Sequence, residues 1–150
     1  RKYKLMATSK VIYLSELRTE AQHLHSGVKI ITDAPLDNQG KAEYFSPTDL
    51  AATSLATCGM TIMGIAARTH GFSIDGTEAT VTKIMYSNPR RIGEIHIEYH
   101  LPDIAYSEKQ KKIIEAAGRT CPVAMSLHPD LKQNITFNFK ETEVRIQKTE

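Results

Sequence analysis

The chain has 150 residues, a length that favours one domain with its own hydrophobic core over a disulfide-stapled miniprotein. Hydrophobic residues make up 41% of it and charged residues 24%, which excludes the disordered and fibrous classes. The net charge of +2 depends on Arg1, Lys2 and Lys4, which all precede Met6. The remaining chain has no excess of basic residues, so we expect no nucleic-acid partner.

The N-terminal residues do not look like a targeting signal. The first twenty residues lack the apolar run and the small-residue cleavage site of a signal peptide, and we therefore expect a cytoplasmic protein. Met6 is a plausible natural start, which would make residues 1–5 a leader or cloning remnant. Residues 6–150 are then expected to form the single domain.

Strands are predicted for residues 9–32. The turn formers His25, Ser26 and Gly27 separate two stretches of strand, the second of which is the β-branched run Val28–Thr32. This predicts a hairpin within a small meander. The following segment, Asp33–Phe45, is rich in turn formers and, at 13 residues, is longer than an ordinary connection, a length typical of functional loops.

A long helix is predicted next. Ser46 suits the N-cap, Pro47 suits the first helical position, and Asp49 lies near the positive end of the helix dipole. Gly71 ends the pattern, which predicts a helix from Pro47 to about Thr69.

The middle of this helix is the longest uncharged run of the chain. Leu50–Ala67 approaches the length that spans a membrane, but its threonines, serine and glycines make it only weakly hydrophobic. We interpret it as a central core helix, apolar or small on nearly every face. Such a helix needs cover on all sides, which one short chain does not readily supply, so a dimer is expected.

The second half predicts two strands, Thr77–Ser87 and Gly93–Leu101, two helices and a final strand pair. The alternating residues of the second strand place one set on a buried face: Ile95, Ile97, Tyr99 and Leu101. Ser107 and Gln110 form a capping-box pattern for a helix that runs to Ala117 and stops at Gly118.

Pro122 predicts another helix, ending near Leu127, with Cys121 as its N-cap. A closing strand pair is indicated by Ile135 to Phe139 and by Val144 with Ile146, with a turn at residues 141–143. The resulting order, β-β-β-α-β-β-α-α-β-β, predicts an α+β fold with antiparallel sheets packed around a long central helix.

Two cysteines carry the candidate chemistry. Cys58 and Cys121 are 63 residues apart, which excludes C-x-x-C redox motifs and cysteine-rich zinc sites and leaves a disulfide or thiol chemistry. At a helix N-terminus, Cys121 is expected to have a lowered pKa, unless it is only a cap. Cys58 lies about three turns into its helix, where it is either a small core residue or a thiolate that needs a nearby cation. Arg18 is a candidate for that cation.

Other constellations are weaker. His96 and His100 share a strand face with Glu94 and Glu98, but exposed strand faces carry such residues routinely, so no metal site is expected. Phosphate-loop, dinucleotide and hydrolase motifs are absent from the sequence, and no cofactor is expected.

Several motifs together resemble the OsmC/Ohr family. Ser46-Pro47-Thr48-Asp49-Leu50 precedes Cys58 by eight to twelve residues, and Cys121-Pro122-Val123 follows it. The resemblance extends from about residue 8 to 146, also includes the stretches 17–21, 25–27 and 31–35, and is greatest to the OsmC-like branch of redox proteins.

This resemblance implies an intertwined homodimer with long central helices backed by sheets. It implies a thiol-dependent peroxidase that reduces organic hydroperoxides with the help of an external dithiol reductant. Cys58 matches the peroxidatic cysteine, Cys121 the resolving cysteine and Arg18 the arginine that stabilises the thiolate. The two cysteines are expected to form an intramolecular disulfide during turnover.

One position departs from the family pattern. The hydroperoxide reductases have a glutamate directly after the helix-opening proline, where this chain has Thr48. Asp49 is out of phase with Cys58 on a regular helix, so we expect it to act as a helix N-terminal anion. The carboxylate partner of Arg18 stays open among Asp49, Glu20, Glu43 or none. This departure keeps two alternatives: a redox-sensing or small-molecule-binding dimer with little turnover, and a structural protein whose cysteines only pack.

Overall fold

The structure is a computed structural model that describes residues 6–140. The elements in chain order are β1 (Ser9–Ser15), β2 (Arg18–His23), β3 (Lys29–Thr32), a 3-10 turn (Leu36–Asn38), α1 (Pro47–Thr69), β4 (Glu78–Tyr86), β5 (Arg91–His100), α2 (Glu108–Arg119), α3 (Pro122–Ser126) and β6 (Lys132–Asn138). Contacts divide the chain into two compact units, one ending at Ala51 and the other beginning at Ala52. The predictions for residues 1–5 and for Val144 and Ile146 lie outside the described residues.

The first unit contains a three-stranded antiparallel sheet in the order β1-β2-β3, which confirms the predicted meander. Every residue of β1 is exposed. The buried residues of the described part of this unit are polar, namely Thr32, Asp33 and Ser46. The loop 33–45 folds back on itself, because Asp33 N donates to Phe45 O (3.1 Å) and Ala42 N donates to Ala34 O (3.2 Å).

The start and end of α1 are as predicted. The Asp49 amide donates to Ser46 Oγ (3.0 Å) and the Ser46 amide donates to Asp49 Oδ2 (2.9 Å), so the two residues cap the helix reciprocally. Asp49 is thus the helix N-terminal anion that the sequence indicated. At the other end, Gly71 has φ +74° and the chain turns out of the helix.

One face of α1 is buried within the second unit, along the residues Ala52, Leu55, Ala56, Gly59, Met63 and Ala67. The helix is long and apolar enough to cross a membrane by length and composition, a test that core helices of soluble proteins also pass.

The sheet of the second unit has the order β4-β5-β6, with β5 in the middle. Its predicted alternation is confirmed, since one set of β5 and adjoining residues is almost fully buried: Ile95, Ile97, Tyr99 and Leu101. One pairing differs from the prediction, because β6 runs parallel to β5 rather than antiparallel. The crossover through α2 and α3 returns the chain to the same end of the sheet and makes the parallel pairing possible. The α+β class itself is confirmed.

The capping box at Ser107 and Gln110 opens α2 as predicted, but the helix does not stop at Gly118. Gly118 is a buried residue inside α2, where a Cβ atom would lie 2.8 Å from the Phe137 ring and 3.1 Å from Met63 Sδ. Its lack of a side chain therefore permits close packing rather than helix termination. Cys121 caps α3 as predicted.

Candidate functional site

The second unit brings the two cysteines together. Cys58 is partly exposed on α1, whereas Cys121 is fully buried at the start of α3. Cys121 Sγ lies 4.0 Å from the carbonyl oxygen of Leu55, one turn before Cys58. The Cys58 thiol is close enough to raise the pKa of Cys121. Both cysteines are free thiols in this structure. This arrangement forms what we call the thiol cluster: Cys58, Cys121 and the adjoining Tyr99.

Small residues explain why the two cysteines meet. A Cβ atom on Gly59 would lie 3.2 Å from the carbonyl oxygen of Gly118, so α1 and α2 approach closely at these two glycines. Gly59 directly follows Cys58, and Gly118 precedes Cys121 by three residues. The close approach of the helices therefore fixes both cysteines at one place in the fold.

The electrostatics of Cys121 contradict the sequence expectation of a lowered pKa. Burial raises the pKa of the Cys121 thiol, and the neighbouring Cys58 raises it further. The Ala124 amide, 3.4 Å from the sulfur, donates to it and acts in the opposite direction, but burial outweighs it. Cys121 is consequently a protonated thiol at neutral pH.

Tyr99 completes the cluster from β5. Its hydroxyl donates to the carbonyl oxygen of Ala56 (3.0 Å), and its ring stacks on Phe137 with 5.3 Å between centroids. Burial raises the pKa of Tyr99, and the charges of Cys121 and Cys58 add to that effect. The sequence placed Tyr99 on the buried strand face, and a hydroxyl among apolar residues was the one signal that could have singled it out.

A second candidate cluster lies in the first unit, around Arg18 on β2. The Arg18 guanidinium donates to Asp33 Oδ2 (3.2 Å) and to Glu43 Oε2, and it lies 5.0 Å from the centroid of the Tyr44 ring. We call Arg18, Asp33, Glu43 and Tyr44 the arginine cluster. Its members come from β2, from the end of β3 and from the end of the loop 33–45.

Asp33 is the buried anchor of the arginine cluster. Its Oδ1 accepts from the Ala34 amide (2.9 Å) and its Oδ2 accepts from the Glu43 amide (3.2 Å), besides the bond from Arg18. The side chain of Asp33 is fully buried, whereas that of Glu43 is 57% exposed. The sequence analysis named Glu43 as a partner of Arg18 but missed Asp33. The signal for Asp33 was its place at the end of the second hairpin strand, since the register that pairs Thr19 with Thr32 brings Asp33 to Arg18.

The other carboxylates considered for Arg18 are engaged elsewhere. Glu20 pairs with Lys29 at 2.8 Å on the exposed sheet, and Asp49 caps α1. Arg18 thus belongs to the first unit and the two cysteines belong to the second. The catalytic roles given to Arg18, Cys58 and Cys121 stay predictions.

A cleft of about 530 Å³ runs along α1 in the second unit, beyond the thiol cluster. Thr61 and Ile65 line it from the helix, and Phe72 and Ile74 line it from the segment that follows. Thr61 and Ile65 lie three and seven residues after Cys58, so they share its face of the helix. The face of α1 that carries Cys58 therefore continues into this cleft.

The histidines of β5 are engaged with neighbouring side chains rather than grouped for a metal. His96 Nε2 lies 2.7 Å from Glu94 Oε2 and 2.9 Å from Asn134 Nδ2, and His100 lies near Glu98. Among residues 6–140, no group of three or more histidine, cysteine, aspartate or glutamate side chains is arranged to hold a metal ion.

The comparisons with known proteins point in one direction. The family model described as OsmC-like protein matches residues 40–136, more than half of the chain. Comparison with curated proteins gave no match.

Among solved structures, one from Psychrobacter arcticus 273-4 is 51% identical, covers 92% of this chain and 100% of its own, and superposes with a TM-score of 0.86. It is described, provisionally, as an osmotic stress induced and detoxification response protein. An organic hydroperoxide resistance protein OsmC from Legionella pneumophila is 14% identical with a TM-score of 0.70, covering 90% of this chain and 99% of its own. An organic hydroperoxide resistance protein from Elizabethkingia anophelis is 13% identical with a TM-score of 0.70, covering 92% and 100%.

Proposed function

Because the chain belongs to the OsmC-like protein family, we propose that it is a thiol-dependent peroxidase that reduces organic hydroperoxides. Cys58 is the peroxidatic cysteine and Cys121 the resolving cysteine of this proposal. The observation that carries it is the pair of free thiols that meet in one cluster, one partly exposed and one buried. Two relatives of the same fold, described as organic hydroperoxide resistance proteins, support the substrate class.

The reaction takes place in two steps. The Cys58 thiolate attacks the peroxide oxygen distal to the organic group, the O–O bond breaks, and the alkoxide takes a proton to leave as the alcohol. Cys58 is then a sulfenic acid. The Cys121 sulfur attacks the Cys58 sulfur, the S–O bond breaks, and the hydroxide leaves as water with the proton from Cys121. An external dithiol reduces the resulting disulfide.

The different environments of the two thiols support this division of roles. Cys58 is partly exposed, as the access of a hydroperoxide requires, whereas Cys121 is buried. The raised pKa of Cys121 keeps it a thiol, and a thiol is a poor nucleophile toward peroxide. It reacts once the Cys58 sulfenic acid forms beside it.

Arg18 is the cation of the proposed mechanism. A guanidinium would stabilise the Cys58 thiolate and the negative charge that develops on the leaving alkoxide, with better geometry than a lysine. Asp33 and the Tyr44 ring hold this guanidinium in one orientation in the first unit. For this role, the guanidinium must lie close enough to the Cys58 sulfur in the working dimer to stabilise its thiolate.

The cleft along α1 supports an organic substrate rather than hydrogen peroxide alone. Its size lies within the ordinary range of ligand pockets, and Ile65, Phe72 and Ile74 give it apolar walls. An alkyl or acyl tail bound there would extend along the helix face that carries Cys58.

We also propose that the working form is a homodimer. Large apolar side chains of β1 are exposed in the described chain, among them Val11, Ile12, Tyr13 and Leu14. Val11 and Tyr13 lie on one face of the strand and Ile12 and Leu14 on the other, so both faces of β1 expose large apolar side chains. Exposed apolar residues at this density indicate a surface that binds a partner.

The alternative function is a redox-sensing dimer that oxidises once and turns over slowly. The observation that favours it is the engagement of Arg18 by two carboxylates, Asp33 and Glu43, which together exceed its positive charge. A cation neutralised in this way would stabilise a thiolate less.

Stopped-flow consumption of an alkyl hydroperoxide, with a dithiol as reductant, distinguishes these functions. Rapid turnover that disappears in Cys58→Ser is the expected result. Stoichiometric oxidation of Cys58 without turnover would support the sensor instead. If neither thiol reacts, the cysteines only pack. Cys121→Ser should still consume one equivalent of hydroperoxide and then accumulate Cys58 sulfenic or sulfinic acid, which mass spectrometry detects.

A further inference from the structure

We propose that Tyr99 is a positioning residue that holds Cys58 within reach of Cys121, and so directs the Cys58 sulfenic acid to the disulfide instead of to further oxidation. This inference rests on the proposed function for its role in turnover. The geometry that carries it concerns the thiol pair alone.

The Tyr99 hydroxyl contacts the helix turn that carries Cys58. It donates to the carbonyl oxygen of Ala56, two residues before Cys58, at 3.0 Å. It also occupies the space that a Cβ atom on Gly59, the residue after Cys58, would fill. The Tyr99 hydroxyl therefore contacts α1 at Ala56 and at Gly59, which lie before and after Cys58 in the sequence.

Cys121 contacts the same turn from another direction. Its sulfur faces the carbonyl oxygen of Leu55 at 4.0 Å, next to the carbonyl that Tyr99 binds. Both β5, through Tyr99, and α3, through Cys121, thus contact the same turn of α1. A rotation or a slide of α1 that moved Cys58 away from Cys121 would break the Tyr99 hydrogen bond.

The rest of Tyr99 is fixed independently of its hydroxyl. The residue is fully buried in the middle strand of the sheet, and its ring stacks on Phe137 of β6. Removal of the hydroxyl alone leaves this packing in place. The substitution Tyr99→Phe accordingly tests the hydrogen bond and not the core.

Disulfide formation competes with further oxidation of the Cys58 sulfenic acid. A sulfenic acid that is not met by a thiol reacts with a second hydroperoxide, whose O–O bond breaks to give a sulfinic acid and an alcohol. The partition between disulfide and sulfinic acid depends on how often Cys121 lies within bonding distance of Cys58. A looser helix turn lowers that frequency without changing the first oxidation.

The chain supplies a matched control. The hydroxyl of Tyr106 also donates to a backbone carbonyl, that of Ser73 at 2.8 Å, and Tyr106 also packs in the core of the second unit. Tyr106→Phe makes the same chemical change at a place remote in sequence and contact from both cysteines. An effect on general stability should appear in both variants, whereas an effect on the thiol pair should appear only in Tyr99→Phe.

The first measurement does not depend on peroxidase activity. The purified protein is equilibrated with mixtures of reduced and oxidised glutathione, and the equilibrium constant gives the effective concentration of Cys121 at Cys58. We expect Tyr99→Phe to lower it by about five- to tenfold, the effect of one lost hydrogen bond, and Tyr106→Phe to leave it within about twofold of wild type.

The second measurement follows turnover with excess alkyl hydroperoxide. Tyr99→Phe should raise the fraction of Cys58 sulfinic acid, measured by mass spectrometry, by a similar factor, while the rate of the first oxidation stays within about twofold. If wild-type protein consumes no hydroperoxide, the proposed function fails and the glutathione equilibrium still decides the role of Tyr99.

Two outcomes overturn the inference: wild-type values for Tyr99→Phe in the glutathione equilibrium, or equal losses in Tyr99→Phe and Tyr106→Phe. If Tyr99→Phe does not fold, Gly59→Ala replaces it with Gly118→Ala as its control, because both methyl groups press on the contact between α1 and α2 but only that of Gly59→Ala displaces the Tyr99 hydroxyl. Gly59→Ala should lower the effective concentration more than Gly118→Ala does, and an unchanged value or an equal loss in the two variants would overturn the inference.

Discussion

The two units of the chain differ in how far their apolar residues are buried. In the first unit, β1 is exposed along its whole length, with Val11 61% and Tyr13 64% exposed, and the buried anchor is the charged Asp33. In the second unit, β5 presents fully buried residues such as Ile95 and Ile97 to a core of its own. The thiol cluster is therefore built on a framework that packs by itself. The arginine cluster is built on a sheet that leaves large apolar side chains of β1 exposed.

The arginine cluster should decide the rate of the first oxidation, and this prediction has the largest expected effect. Arg18→Ala removes the cation that is proposed to stabilise the thiolate and the leaving alkoxide, so the rate of Cys58 oxidation should fall by about 100-fold, as for a lost oxyanion donor. The rate of Cys58 oxidation in Arg18→Lys should lie between those of wild type and Arg18→Ala, because an ammonium lacks the planar fork of a guanidinium. The measurement is stopped-flow oxidation at several pH values.

The matched control for Arg18 is Arg91, which also stacks over a tyrosine ring, that of Tyr86 at 5.4 Å. Arg91→Ala should leave the oxidation rate unchanged. An unchanged rate and an unchanged thiol pH profile in Arg18→Ala would remove the arginine cluster from the mechanism.

Within the arginine cluster, Asp33 and Glu43 should contribute unequally. Asp33→Asn weakens a buried, charge-assisted hydrogen bond and should lower the free energy of unfolding by about 2 kcal/mol. Glu43 is mostly exposed, and an exposed ion pair is worth at most about 1 kcal/mol, so Glu43→Gln should change stability little. Urea unfolding of both variants measures the difference.

The same pair of variants tests the neutralisation of Arg18 that favours the redox-sensing alternative. If Glu43 neutralises Arg18, Glu43→Gln should speed Cys58 oxidation while Asp33→Asn slows it. Equal stabilities, or equal rates, in the two variants would mean that the buried carboxylate is not the anchor of Arg18.

The sequence predicted most of the local structure because local signals determine it. The cap at Ser46 and Asp49, the capping box at Ser107 and the alternation of β5 are each read within a few residues, and each is confirmed. The start of α1 at Pro47 was predicted to the residue, and its end was predicted at about Thr69, where the structure has it. The antiparallel pairing expected for β6 was wrong because strand direction is set by the path of α2 and α3, not by the strand itself.

Contacts between distant residues were the part that the sequence could not supply. Asp33 directly follows β3, which pairs with β2 so that Thr32 lies opposite Thr19, and this register brings Asp33 to Arg18. The sequence predicted the hairpin but not its register. The pKa of Cys121 was expected to fall because only the helix terminus is visible in sequence, whereas its burial, which prevails, depends on the whole core. Gly118 was taken for a helix stop because its close neighbours, Phe137 and Met63, lie far away in sequence.

The exposed apolar residues of β1 also predict how the proposed dimer responds to substitution. If the exposed face of β1 is buried against a second copy, Val11→Ser removes apolar area from that interface, and burial of a valine side chain is worth about 1.5 kcal/mol or more. The dissociation constant of the dimer should then rise by at least about tenfold, since 1.4 kcal/mol corresponds to a factor of ten. Sedimentation over a range of concentrations measures it, with Lys10→Ser, the charged residue next to Val11, as the control that should leave it unchanged. A wild-type protein that sediments as a folded monomer at micromolar concentration would contradict the dimer. Equal effects of the two substitutions would instead show that the apolar side chain of Val11 has no special part in it.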